Sequence, residues 1–142
     1  MDETAYRQAL RSSTPLHCPF EKTVLTHCAA CSKAEKHNIA EREVVACKSA
    51  MAHERCIAFR DLLRHNFIFA LGKLHIDGPL PHAQEMRMQC GGLKGLQFAL
   101  EGGDQVHDVA ALVEMAQQRY GELVKLPYSL IVQQANIHYK GR

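Results

Sequence analysis

The stretch Ser49-Ala50-Met51-Ala52-His53-Glu54-Arg55-Cys56-Ile57-Ala58-Phe59-Arg60-Asp61-Leu62-Leu63-Arg64-His65-Asn66-Phe67 decides the fold. Ser49 is a good helix N-cap, and Ala52, Cys56, Phe59, Leu63 and Phe67 recur at helical spacing. The spacing predicts a helix from about Ala50 to Leu71, ended at Gly72, with that stripe turned toward a core. Nine residues along one straight helix would place Cys47 and Cys56 on opposite faces. With Ser49 as the cap, Cys47 lies in the chain just before the helix and Cys56 two turns inside it. Both can then face one centre. The plainer alternative makes Cys56 a small apolar residue of the core stripe.

Upstream, the cysteines crowd. Five of the six fall between residues 17 and 56, in His17-Cys18-Pro19-Phe20, His27-Cys28-Ala29-Ala30-Cys31-Ser32, Cys47-Lys48-Ser49 and His53-Glu54-Arg55-Cys56. Thiolates at this density point to zinc or an iron–sulfur cluster, because several soft ligands must converge on one centre. Pro19 keeps Cys18 out of helical geometry, so its sulfur can be aimed from irregular backbone. The Cys28-x-x-Cys31 spacing lets both sulfurs reach one metal from a single turn, with small alanines between them. Two competing readings of this pair are a thioredoxin-type dithiol, which needs a βαβ setting, and two incidental buried thiols.

We expect Cys18, Cys31, Cys47 and Cys56 to supply the main metal site, with Cys28 replacing one of them or held close by. Cys31 is chosen over Cys28 because it adjoins Ser32, where a helix N-terminus would stabilise thiolate charge. Ser32 and Glu35 have the form of a capping box, so a short helix is expected there; Val44-Val45-Ala46 read instead as an extended piece delivering Cys47. His17, His27 and His53 are the alternative ligands that keep zinc in play.

The remainder reads as scaffold. Residues 1–13 suggest a short helix broken by Ser12-Ser13-Thr14-Pro15. Asp77-Gly78-Pro79-Leu80-Pro81 divides a cysteine-rich half, 1–75, from a helical half, 82–142, within one 142-residue domain. Gly91 and Gly95, one helical turn apart, suit close backbone packing and fit neither a dinucleotide loop nor a phosphate loop. Val109 to Tyr120 is an amphipathic helix stopped by Gly121, and a last helix begins near Ser129.

Composition is ordinary, with 46% apolar and 23% charged residues. A formal charge of +2 gives no basic footprint, so nucleic acid is not the expected partner. No apolar stretch is long enough to span a bilayer and the acidic start carries no secretory signal, so a cytoplasmic protein with reduced cysteines is expected. Three disulfides would be the reading for an exported chain. The fold class expected is a mainly α, small helical domain organised around a cysteine-rich metal or cluster site.

Thiol richness, ligands spread over about forty residues and apolar neighbours favour an iron–sulfur cluster, [4Fe–4S] ahead of [2Fe–2S], over mixed-ligand zinc. The ordered ligand run of bacterial ferredoxins is absent. The function expected is electron transfer or redox sensing with a larger protein partner. The alternative is a zinc-stabilised interaction or regulatory module. An enzyme comes third, since no acid–base constellation stands out.

Overall fold

A computed structural model describes residues 3–5, 8, 16–72 and 78–139. The chain is mainly helical, with one small two-stranded sheet. In order, the elements are α1 (Glu21–Leu25), β1 (Ala34–Ile39), β2 (Arg42–Cys47), α2 (Ala50–Ala70), α3 (His82–Met86), α4 (Gly92–Glu101), α5 (Val109–Tyr120) and α6 (Tyr128–His138). A π-helical turn at Arg87–Gly91 joins α3 to α4, and a 3-10 turn at Leu123–Lys125 precedes α6.

α2 forms as its spacing requires. Ser49 Oγ accepts a hydrogen bond from the Ala52 amide, and Ala52, Cys56, Phe59, Leu63 and Phe67 are all buried. One apolar core joins this stripe to both sides of the chain, from Phe20 and Ala29 to Leu93, Leu96, Val113 and Ile131. α5 runs over the expected residues and stops at Gly121, with the Asp108 side chain as its cap. α6 starts one residue earlier than Ser129, at Tyr128.

The expected glycine packing is present. A Cβ added at Gly91 would meet Ala135 Cβ at 3.0 Å, and one at Gly95 would meet the Ile131 carbonyl oxygen at 2.3 Å. α4 and α6 therefore approach at backbone contact, which any larger residue would prevent.

The segment after Ser32 is a correction. In place of a helix from the Ser32–Glu35 pair stands an antiparallel hairpin, β1 with β2, in register Ala34↔Cys47 through Ile39↔Arg42. The extended alternative for Val44-Val45-Ala46 is the one realised: Val44 and Val45 are fully buried within β2, where β-branched residues pack well. Its two-residue turn, Ala40-Glu41, has positive φ at both positions, 51° and 69°. The stretch from 84 to 89, too short and polar to assign from sequence, is α3 and part of the π turn. The expected N-terminal helix and its break fall largely outside the described residues. So do His75 and the basic end 140–142.

A second correction concerns the cysteines. Cys28 and Cys90 form a disulfide across 62 residues, with Cα atoms 6.0 Å apart. The expectation that all six would be thiols or ligands does not hold for these two. Closing a loop of this length restricts the unfolded chain by about 4 kcal/mol in the chain-entropy picture. No described helix is long and apolar enough to cross a membrane.

Candidate metal centre

Four cysteines remain free, namely Cys18, Cys31, Cys47 and Cys56. All four line one small cavity of about 20 Å³, together with Phe20, Val24 and other largely apolar neighbours. Each reaches it from a different element, for a local reason.

Cys18 lies on a short extended piece laid against β2. Its amide donates to the Val45 carbonyl at 2.9 Å, the Cys47 amide donates to the Leu16 carbonyl at 2.7 Å, and His17 bridges Ala46 between them. This pairing sets Cys18 beside the end of β2 that carries Cys47. Pro19 has no amide proton, so the first one available to the Cys18 sulfur is Phe20's, and that amide is its partner.

Cys31 closes the segment Cys28-Ala29-Ala30-Cys31. Ala29 pairs with Val106, the Ala30 amide donates to the Val106 carbonyl at 3.2 Å, and the Ala30 carbonyl accepts from the Val109 amide at 2.9 Å. Its sulfur is hydrogen-bonded by the amides of Lys33 and Ala110, the latter in the first turn of α5. Amides donating to sulfur are what a thiolate ligand needs, since they stabilise its charge and tune any metal it holds. Cys47, half-buried, donates its thiol to the Ser49 carbonyl at 3.2 Å. Cys56 projects from the buried stripe of α2, as the core reading has it, and also lines the cavity.

Burial and the neighbouring sulfurs shape the thiols' acidity. Loss of water pushes Cys18 up to about 11, with Cys31 and Cys47 adding to the effect against the Phe20 amide. Cys56 is pushed up to about 12, by burial first and then by Cys31, Cys18 and Cys47. Cys31 is raised too, mainly by burial, despite its two amides. Partial burial works to raise the Asp108 carboxyl. Hydrogen bonds from Ser32, the Ala111 amide and the Cys31 thiol outweigh it and hold Asp108 below its usual range. Asp108 thus ties the Cys31 loop to the start of α5. Sequence reading missed it, though an aspartate directly before an apolar helical run is a capping signal.

These raised values have a measurable consequence in the metal-free protein. Unfolded thiols titrate near the ordinary 9.0, below their folded values. Stability is therefore full below that pH and falls as pH rises toward 11 and 12, because the unfolded chain then sheds protons the folded chain keeps. We expect the melting temperature to drop between about pH 9 and about pH 11, and the drop to shrink in Cys56→Ala. Thermal melts under argon check this; an undiminished drop in Cys56→Ala would contradict the assignment.

Not every sequence candidate joins the cavity. Cys28 is held in the disulfide with Cys90. Among the described histidines only His53 lines the cavity, where its Nε2 donates to the His17 carbonyl at 2.9 Å. His17 Nε2 pairs with Glu21 at 2.6 Å, and the Glu21 carboxylate also accepts from the Val45 amide at 2.8 Å. His27 is exposed, on a backbone of φ 61°.

Among the described residues no group of three or more His, Cys, Asp or Glu side chains is arranged as it stands to hold a metal ion. The four thiols share a cavity without closing on one point. No protein family, curated protein or solved structure matches the chain. What fold and site define is a helical protein with a four-cysteine cavity beside a β-hairpin.

Proposed function

We propose that the protein binds an iron–sulfur cluster, [4Fe–4S] ahead of [2Fe–2S], through Cys18, Cys31, Cys47 and Cys56, and serves electron transfer or redox sensing with a larger protein partner. The observation that carries this reading is the convergence of all four free cysteines on one apolar cavity. A full thiolate set is the ligand set of such clusters. A [4Fe–4S] cluster binds each thiolate to a different iron, so its four sulfurs stand farther apart than those around one metal ion. A single zinc draws its four sulfurs to about 3.8 Å from one another, given metal–sulfur bonds of about 2.3 Å. Cys18, Cys31 and Cys47 are half-buried, so the centre would lie near the surface, where electrons can pass to a partner. A reducing, cytoplasmic setting belongs to the same proposal, since four thiols must stay free.

One observation favours the second reading, a zinc-stabilised interaction or regulatory module. The cavity, at about 20 Å³, has the size of one ion or water, and His53 lines it. A cluster requires the four side chains to swing outward.

Anaerobic purification followed by a visible spectrum and metal and sulfide analysis separates the two. A brown protein with matching iron and sulfide is expected, and Cys31→Ser or Cys56→Ser should lower the bound iron at least about tenfold, while Cys90→Ser should still load. A colourless protein carrying one zinc would establish the module. A protein binding neither, or full loading in Cys47→Ser and Cys56→Ser, would remove the site.

A further inference from the structure

The disulfide does not stand apart from the four-thiol cavity. Cys28 and Cys31 are the two ends of a four-residue segment whose middle, Ala29-Ala30, is laid against Val106 and Val109. Cys90, at the other end of the bond, is 2% exposed and sits in the π-helical turn between α3 and α4. The glycines just after it are locked against α2 and α6, Gly92 over Leu63 and Gly95 over Ile131. The bond thus fastens the segment that delivers Cys31 to a tightly packed part of the molecule. A hydrogen bond from the Thr23 hydroxyl to Gln89 at 3.2 Å crosses between the same two regions, and the Cys28 and Ala29 amides both donate to the Thr23 carbonyl. These are weaker ties that survive when the bond is cut. A chain of this length with one continuous apolar core does not need a disulfide to fold. A π-helical turn is, moreover, a departure from regular helix that recurs at functional positions.

We propose that Cys28–Cys90 is a redox latch on the metal centre: oxidised, it holds the Cys31 segment in place and the centre is retained; reduced, it frees that segment and the centre is released. The inference rests on the redox-sensing form of the four-cysteine reading above and names the regulation of that same site. In a reducing cytoplasm the bond is transient, and the centre is held firmly only while an oxidant keeps the bond closed. The step is a two-electron exchange with a dithiol reductant. The sulfur–sulfur bond between Cys28 and Cys90 breaks, two electrons and two protons make two thiols, and the reductant's own thiols are left joined as a disulfide. Cys31 keeps its ligand role in both states; what changes is how firmly its backbone is held. Positioning of this kind from outside the ligand set typically governs metal retention by a factor of ten or more.

The test loads the full-length protein with equal ferrous and ferric iron and sulfide under argon. Thiol alkylation and mass spectrometry confirm that the oxidised sample keeps the Cys28–Cys90 bond, and loss of visible absorbance to an excess of iron chelator is followed. The oxidised protein, the same protein treated with a phosphine reductant, Cys28→Ser and Cys90→Ser are compared, with far-UV circular dichroism confirming that each is folded. All three unlatched forms are expected to load fully and to release iron about tenfold faster than the oxidised form. Release rates within about twofold of one another overturn the latch and leave the cluster reading intact. Loss of loading in Cys28→Ser alone overturns it too, because Cys28 would then be a ligand. Failure of the oxidised protein to bind iron at all overturns the cluster reading and the latch with it.

Discussion

Gly95→Ala is expected to lower the melting temperature by about 6 °C or more, or to prevent folding. The added Cβ would lie 2.3 Å from the Ile131 carbonyl oxygen and 3.2 Å from its Cα, and those are backbone atoms in the middle of α6. Nothing local can rotate aside, so α4 and α6 must part along their whole contact. Alanine in a helix interior gains about 1 kcal/mol over glycine, while overpacking against backbone costs about 3 kcal/mol or more. The clash wins by about 2 kcal/mol, which for a domain of this size corresponds to the stated shift. Gly92→Ala makes the informative contrast. Its Cβ also falls at 2.3 Å, but from Leu63 Cδ2, the far end of a side chain that can change rotamer. The smaller loss is expected there. Differential scanning calorimetry on the two variants decides it: equal melting temperatures, or a Gly95→Ala protein as stable as the parent, would mean that α4 and α6 do not meet at backbone distance.

How far this was legible in the sequence varies with how local the cause is. α2 and α5 were readable because their periodic apolar positions, the Ser49 cap and the Gly121 stop all lie within a few residues of the elements they define. The placement of Cys47 before a helix and Cys56 inside it followed from the same cap. The hairpin was not readable. β1 buries only Ile39 fully, so Glu35, Lys36 and Asn38 leave no alternation to detect, and the turn is made by Ala40-Glu41 where glycine or asparagine would have signalled it. A Ser32–Glu35 pair that resembles a capping box then pointed the wrong way. Tertiary contact prevails there: the base of the hairpin is drawn in by the Lys48 amide bonding to the Lys33 carbonyl at 2.8 Å and by the extended piece at Cys18.

For the cysteines the limit is different in kind. Residue types and local backbone singled out Cys18, Cys31, Cys47 and Cys56, and the structure brings those four to one cavity. The pairing of Cys28 with Cys90 depends on where two segments 62 residues apart come to rest, and no spacing rule contains that. Cys31 lines the cavity and Cys28 is held in the disulfide, but the reason for preferring Cys31 was partly wrong. No helix begins at Ser32; the amide groups that serve Cys31 come from Lys33 and from the first turn of α5.

Phe59→Ala is expected to cost about 3–5 kcal/mol, a large part of the total stability of an ordinary domain. Phe59 is fully buried on the same stripe of α2 as Cys56, and its ring lies 6.0 Å from that of Phe20 and 6.3 Å from that of Tyr128. Phe20 lines the four-cysteine cavity, and Tyr128, whose hydroxyl donates to the Leu123 carbonyl at 2.7 Å, opens α6. The three rings therefore join the cysteine-rich half to the helical half. Truncating the middle one leaves a hole that neither neighbour fills without tilting, since Phe20 is fixed between the cavity and the core and Tyr128 by its hydrogen bond. Phe59→Leu retains most of the volume and is expected to lose much less. Phe69, on the same helix but 70% exposed, supplies the control: Phe69→Ala should change stability by no more than about 0.5 kcal/mol. Because Phe20 forms one wall of the cavity, Phe59→Ala should also release a reconstituted metal faster than the parent well below its melting temperature. Phe69→Ala should not. Chemical denaturation and chelator release measured on the same three variants test both halves of the argument, and a Phe59→Ala protein unfolding at the parental midpoint would refute the three-ring bridge.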